Sequence, residues 1–185
     1  MLFGLIICGI TKKMQKKHTG FTLIELLLYV AIFSILISTV MFIAFSSVAQ
    51  RAHNQAVAEV DYQGEIAMNQ ITQQIRNAST INAPTPGNTL TSLSINTPTS
   101  SNNPTIYDLY NDGSRYRLRI REGSAGTSNY LTNNKVTLSN LSFRNVAVTG
   151  GRDSIKVQFT ISSYNPSNLG EIQYTKTFYG TGTLR

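Results

Sequence analysis

Between Phe21 and Ala49 the chain runs for 29 residues with one charged side chain, Glu25, and no proline or glycine. As a helix such a run is about 44 Å long at roughly 1.5 Å per residue, enough to cross a hydrocarbon core of about 30 Å. Lys12, Lys13, Lys16 and Lys17 stand before it, and Arg51 is the first basic residue after it. The positive-inside rule then places the N-terminus in the cytoplasm and the rest of the chain outside. A cleaved secretory signal is the plainer alternative, and Ser47-Val48-Ala49 resembles a small-residue cleavage site. The apolar region of a signal peptide, however, is about 7–15 residues long. A simple anchor leaves Glu25 unexplained, since a carboxylate at the centre of a spanning helix costs about 2.5–3.5 kcal/mol.

The residues around that acid read Lys16-Lys17-His18-Thr19-Gly20-Phe21-Thr22-Leu23-Ile24-Glu25-Leu26-Leu27. Here the chain closely resembles the type IV pilin and pseudopilin family: a basic leader, Gly-Phe-Thr-Leu, a spaced Glu and a long apolar run. The resemblance implies a prepilin peptidase that cuts between Gly20 and Phe21 on the cytoplasmic side and methylates the new amine of Phe21. Lys16 and Lys17 are then the leader's basic residues. Gly20, without a side chain, lets its peptide bond enter a narrow site in extended form. Glu25 becomes the fifth residue of the mature chain, one helical turn from Phe21. Its carboxylate is placed to neutralise the Phe21 amine of its own chain or of a neighbour, an assembly charge pair that fixes axial register because unpaired charge is costly in apolar surroundings. The implied partners are prepilin peptidase, other pilin or pseudopilin subunits, an inner-membrane assembly platform and the membrane itself. The implied product is a helical filament at the cell surface or in the periplasm, as a pilus or a type II secretion pseudopilus. Met14 offers an alternative start, giving a seven-residue leader, Met14 to Gly20.

The helical pattern continues past Ala49. From Gln50 to Ala78 there is no proline, and Val57, Val60, Ala67, Ile71, Ile75 and Ala78 recur at spacings of three, four or seven. That spacing predicts one amphipathic helix with a narrow apolar stripe, continuous with the run before it. Gly64 is a weak point in it, costing about 1 kcal/mol against alanine. Asn77-Ala78-Ser79-Thr80, followed by Pro84 and Pro86, marks the end. The expected organisation is a leader over 1–20, a transmembrane or filament-core helix over 21–49, an amphipathic continuation over 50–79 and a β-rich head over 80–185. Major pilins often carry a proline where this chain has Phe42, which points toward a minor subunit.

The fold class expected is α+β, the long helix packed on an antiparallel β-sheet head. Tyr116, Leu118 and Ile120 alternate with Arg115, Arg117, Arg119 and Arg121, and Ile155, Val157, Phe159 and Ile161 with Lys156, Gln158 and Thr160. Each set predicts a strand with one buried face. Ile172, Tyr174 and Phe178 share a third parity on which Lys176 also falls, as in an edge strand. Asn111-Asp112-Gly113 predicts a hairpin turn between 106–110 and 114–121. The stretches Tyr130–Phe143, Ser154–Ser163 and Asn69–Arg76 also resemble minor pilins and pseudopilins of the W and J types.

The formal charge of +7 is misleading, because the four lysines before Gly20 carry over half of it and no acid accompanies them. The arginine alternation is the tempting site for nucleic acid, and some pilus systems take up DNA. Asp108, Asp112 and Glu122 lie close enough in sequence to screen it, and a solvated strand face is the commoner explanation. The only cysteine, Cys8, precedes Gly20, so a chain starting at Phe21 has neither disulfide nor thiolate chemistry. His18 and His53 stand apart, Asp153 and Glu171 are isolated, and no phosphate loop or metal spacing is present. No enzyme activity, cofactor or metal is expected.

Overall fold

The computed structural model describes residues 20–185 apart from 125, 149 and 169, and leaves the side chains of 127 and 171 undescribed. Lys12, Lys13, Lys16, Lys17, Cys8 and His18 lie outside the described residues, as does the side chain of Glu171. One α-helix, α1, runs from Leu23 to Asn77. Among the described residues nine strands follow: β1 (Thr80–Ala83), β2 (Thr89–Leu90), β3 (Leu93–Asn96), β4 (Thr105–Asn111), β5 (Tyr116–Glu122), β6 (Thr127–Tyr130), β7 (Val136–Asn145), β8 (Ser154–Ser163) and β9 (Thr175–Thr183). The described residues divide into two units, one ending at Phe45 and the other running Ser46–Arg185.

In the first unit, every described residue is exposed, including Leu23, Ile24, Leu27, Phe33, Leu36 and Phe42. This part of α1 holds a stretch long and apolar enough to cross a membrane by length and composition. Ser34 and Ser38 donate their hydroxyls to the carbonyls of Val30 and Ser34, four residues back, at 2.7 and 2.8 Å. No hydroxyl on that face then needs water, which an apolar environment requires.

In the second unit, the Ser46–Asn77 part of α1 buries one stripe. Val60, Ala67, Ile71 and Ile75 are fully buried, joined by Gln63, Gly64 and Met68. Val60, Ile71 and Ile75 each contribute roughly 1.5–3 kcal/mol by that burial. Val57 is only half-buried.

The head is not the single sheet that the alternations suggested. All pairings are antiparallel, but the strands form a five-stranded sheet, β1-β3-β4-β5-β6, and a four-stranded sheet, β2-β7-β8-β9. Both sheets and the α1 stripe contribute to one core. Leu93, Ile95, Tyr107, Leu118 and Ile120 come from the first sheet, and Leu138, Phe143, Ile155, Phe159 and Phe178 from the second.

Three strand expectations change in detail. Leu118 and Ile120 face inward, but Tyr116 at the strand's start is 46% exposed. β9 begins at Thr175, because Gly170–Ile172 is a 3-10 turn, so Ile172 and Tyr174 precede the strand. It is nonetheless an edge strand. Thr160, placed among the solvent-facing residues of β8, is buried and its hydroxyl shares a 2.9 Å hydrogen bond with that of Thr177.

Two backbone features set these faces. In β7 the pairing with β8 slips between Ser139 and Ser142, and Asn140 there has φ of 51°. That bulge changes parity, so Val136 and Leu138 before it and Leu141 and Phe143 after it all face the core. Gly64 is the second. A methyl there would enter the ring of Phe178, so the glycine is a point of close helix–strand approach. The same occurs from the strand side, where a methyl on Gly182 would stand 2.9 Å from Ile75 Cβ.

Candidate functional site

The first candidate lies at the start of α1. Thr22 caps the helix: its carbonyl accepts the N–H of Glu25 at 3.1 Å and of Leu26 at 3.2 Å. Its hydroxyl also accepts the Glu25 N–H, at 3.4 Å. Thr22-Leu23-Ile24-Glu25 thus has the spacing of a capping box, with an acid in the first turn where the helix dipole favours negative charge. Sequence reasoning had found Glu25 but not this second, local reason for an acid there. The Tyr29 hydroxyl donates to Glu25 Oε1 at 3.5 Å, and the Phe21 ring meets Tyr29 edge-on with centroids 6.0 Å apart. Phe21, Glu25 and Tyr29 therefore form one face. Gly20 and Phe21 are both exposed among the described residues.

The second candidate is the arginine face of β5. The four guanidiniums are engaged within the head. Arg119 grips Asp108 of β4 with two hydrogen bonds, 2.8 and 2.9 Å, and Arg121 adds one to the same carboxylate at 2.9 Å. Register explains this, since Asp108 lies directly opposite Arg119. Burial pushes the Asp108 carboxyl up, but hydrogen bonds and charge from Arg119, with the charge of Arg121, outweigh it and hold the group below its ordinary value. Arg117 donates twice to the Thr132 carbonyl, at 3.2 and 2.8 Å, and lies 4.0 Å from the centre of the Tyr130 ring. Arg119 lies 4.7 Å from the Tyr110 ring and Arg115 4.1 Å from the Tyr164 ring. Arg115 also donates to the Asn134 carbonyl and pairs with Asp112 at 3.3 Å. The face is a cross-strand brace of arginine, aspartate and tyrosine. Asp112 does further local work, its Oδ1 accepting the N–H groups of Ser114 and Arg115 to shape the hairpin turn.

A third set of contacts, unforeseen from the sequence, fastens α1 to the head. Asn133 donates its amide to Glu59 at 2.5 Å and its backbone N–H to Gln63 at 3.2 Å. Lys135 stands 3.6 Å from the same glutamate, beside an open groove of about 790 Å³ that Gln55, Tyr62 and Tyr164 help to line. Across the helix Lys176 pairs with Asp61 at 2.9 Å. The lysine that marked β9 as an edge strand is thus a tie to the helix. His53 sets its ring edge-on to Tyr174, 6.4 Å between centroids.

Among the described residues no group of three His, Cys, Asp or Glu side chains is placed to hold a metal. Asp153 instead accepts the buried Asn145 amide at 2.8 Å, and that amide also donates to the Pro84 carbonyl at 3.0 Å. These bonds stitch the loops around β7.

Neither the curated proteins nor the solved structures gave a match to the chain. Residues 15–41 match the family model described as the prokaryotic N-terminal methylation motif. That segment holds Gly20, Phe21 and Glu25 and reaches well into the exposed apolar part of α1. Over these residues the chain is similar to the type IV prepilin and pseudopilin family.

Proposed function

We propose that the chain is a structural subunit, of the minor kind, of a type IV pilus or a type II secretion pseudopilus. The observation that carries this is the pairing of the methylation motif with a helix whose first part is apolar on every side and wholly exposed. An apolar surface of that extent needs lipid before assembly and identical or similar helices after it. Residues 1–20 serve as the leader, 21–49 as the membrane and filament-core helix, 50–79 as the helix that carries the head, and 80–185 as the head. Prepilin peptidase cuts after Gly20 and methylates Phe21. Glu25 then neutralises the Phe21 amine of a neighbouring subunit, delivered by an inner-membrane assembly platform. The N-terminus faces the cytoplasm and the head faces away from it.

The arginine strand serves the head itself in this account. Arg115, Arg117, Arg119 and Arg121 are held by Asp108, Asp112, backbone carbonyls and tyrosine rings, which commits much of their donor capacity within the head. Filter binding to DNA over a range of salt concentrations separates the two roles, since phosphate contacts give a steep salt slope.

Assembly is tested with single cysteines at Phe33 or Leu36, introduced into a chain whose only native cysteine, Cys8, leaves with the leader. Cross-linked ladders that shrink when Glu25 is changed to Gln are expected in cells that make the whole assembly system. Monomers alone, with processing intact, would mean an anchored domain that does not polymerise.

A further inference from the structure

The order β2-β7-β8-β9 leaves β9 paired on one side only. Its nine pairs with β8 run without a break in register. Flanking hydrogen bonds fix the direction of its backbone groups. Ser163 N–H donates to the Tyr174 carbonyl before the strand, and Leu184 N–H to the Asp153 carbonyl after it, both at 2.9 Å. By the alternation of an antiparallel ladder, even-numbered residues of β9 turn their backbone groups toward β8 and odd-numbered residues turn them outward. The outward set is Thr175, Thr177, Tyr179, Thr181 and Thr183, and no other backbone group among the described residues bonds to them.

Natural sheets protect such edges with short strands, bulges, proline or charge. The other edges here comply: β1 has four residues and a bulge, β2 has two residues and β6 has four. β9 has nine residues, no proline and no bulge, and its one charge, Lys176, is turned onto Asp61. Nor does α1 cover the edge. Asp61, Gly64, Met68, Thr72 and Ile75 meet β9 along one flank of the helix, while Tyr179 stays 63% exposed and Thr175, Thr181 and Thr183 are exposed too.

We infer that the β9 edge pairs with β9 of a second copy of this chain, antiparallel about a two-fold axis at Tyr179. The sequence of the strand argues for that occupant, because its outward residues read the same in both directions from Tyr179: Thr, Thr, Tyr, Thr, Thr. In this register Tyr179 meets Tyr179, Thr177 meets Thr181 and Thr175 meets Thr183, all favourable cross-strand pairs. On the other face Phe178 comes opposite Gly180 and Lys176 opposite Gly182, the two glycines against which Met68, Thr72 and Ile75 of α1 pack. The pair joins two four-stranded sheets into one of eight and closes on itself. β9 follows α1 in the same direction, as the successive contacts Asp61–Lys176, Gly64–Phe178 and Ile75–Gly182 show. The two-fold therefore sets the head-bound stretches of the two helices antiparallel. It is a contact between heads of separate assemblies, distinct from that between successive subunits of one polar filament.

The test uses the full chain in detergent with Cys8→Ser, so that an introduced cysteine is the only one. Tyr179→Cys is expected to give a reducible dimer. Thr181→Cys is expected to give none alone but to cross-link when mixed with Thr177→Cys. Thr181→Pro removes an outward N–H and leaves the β8 ladder intact; Thr181→Lys adds edge charge without touching the backbone. Either is expected to abolish the dimer in light scattering. A chain that is monomeric at all concentrations, cross-linking by Thr181→Cys alone as strong as by Tyr179→Cys, or a dimer that survives Thr181→Lys would overturn the pairing.

Discussion

The two parts of α1 obey different solvents. From Leu23 to Phe45 the helix is exposed and apolar all round, its one acid lying in the first turn. From Ser46 to Asn77 it carries Arg51, Glu59, Asp61, Glu65 and Arg76, and buries a single stripe between Val60 and Ile75. Every described residue of the first part is exposed, and its stability has to come from lipid or from other helices. The second is fastened to its own head by a core, by close glycine contacts and by polar ties at Glu59, Gln63 and Asp61. One helix can therefore change neighbours along one part while the other holds the folded head.

Mutations break this contrast in a predictable order. Phe159→Ala, in the core under α1, is expected to lower head stability by about 3–5 kcal/mol, read by thermal or urea unfolding. Gly64→Ala should come next. Helix propensity alone predicts a gain of about 1 kcal/mol, whereas the Phe178 ring occupies the space of the new methyl and predicts a loss of about 1–3 kcal/mol from overpacking. The sign of the change decides between the two.

Asp108→Asn should cost about 1–2 kcal/mol, since it weakens charge-assisted bonds to Arg119 and Arg121. Because the folded carboxyl is held below its ordinary value, its stabilisation is complete above the unfolded value of about 3.9 and is lost as pH falls through the lower folded value. Unfolding curves of the native chain should weaken below about pH 4, and the Asn variant should show less of that dependence. Asp61→Asn should have a smaller effect that fades at high salt, as an exposed pair does. Leu36→Ser, in the exposed first part of α1, should leave head unfolding unchanged while impairing membrane insertion or assembly.

Periodicity made much of this legible. Spacings of three and four gave the helix and most of its stripe, and alternation identified Leu118 and Ile120 of β5 and the four apolar inward residues of β8, but misplaced Tyr116 and Thr160. What it withheld follows from what it measures. A two-residue period says which residues share a face, but not how many sheets those faces build. The β7 bulge at Asn140 interrupts the period that would have revealed that strand. Gly64 looked like a flaw because its reason, Phe178, stands over a hundred residues away in the chain. Arg119 and Arg121 looked solvated because their common partner, Asp108, sits on the neighbouring strand, where only the hairpin register brings it opposite. At the N-terminus, by contrast, Gly20, Phe21 and Glu25 are close in sequence, so a local motif was enough to single them out.

The claim that the first part of α1 is a prepilin-type segment is tested most directly by mass spectrometry of the chain's N-terminus, after expression with and without a prepilin peptidase. With active peptidase the account predicts a chain that begins at N-methylated Phe21, and without it an uncut leader. A leader that stays intact despite active peptidase, or a cut after Ala49, would contradict it.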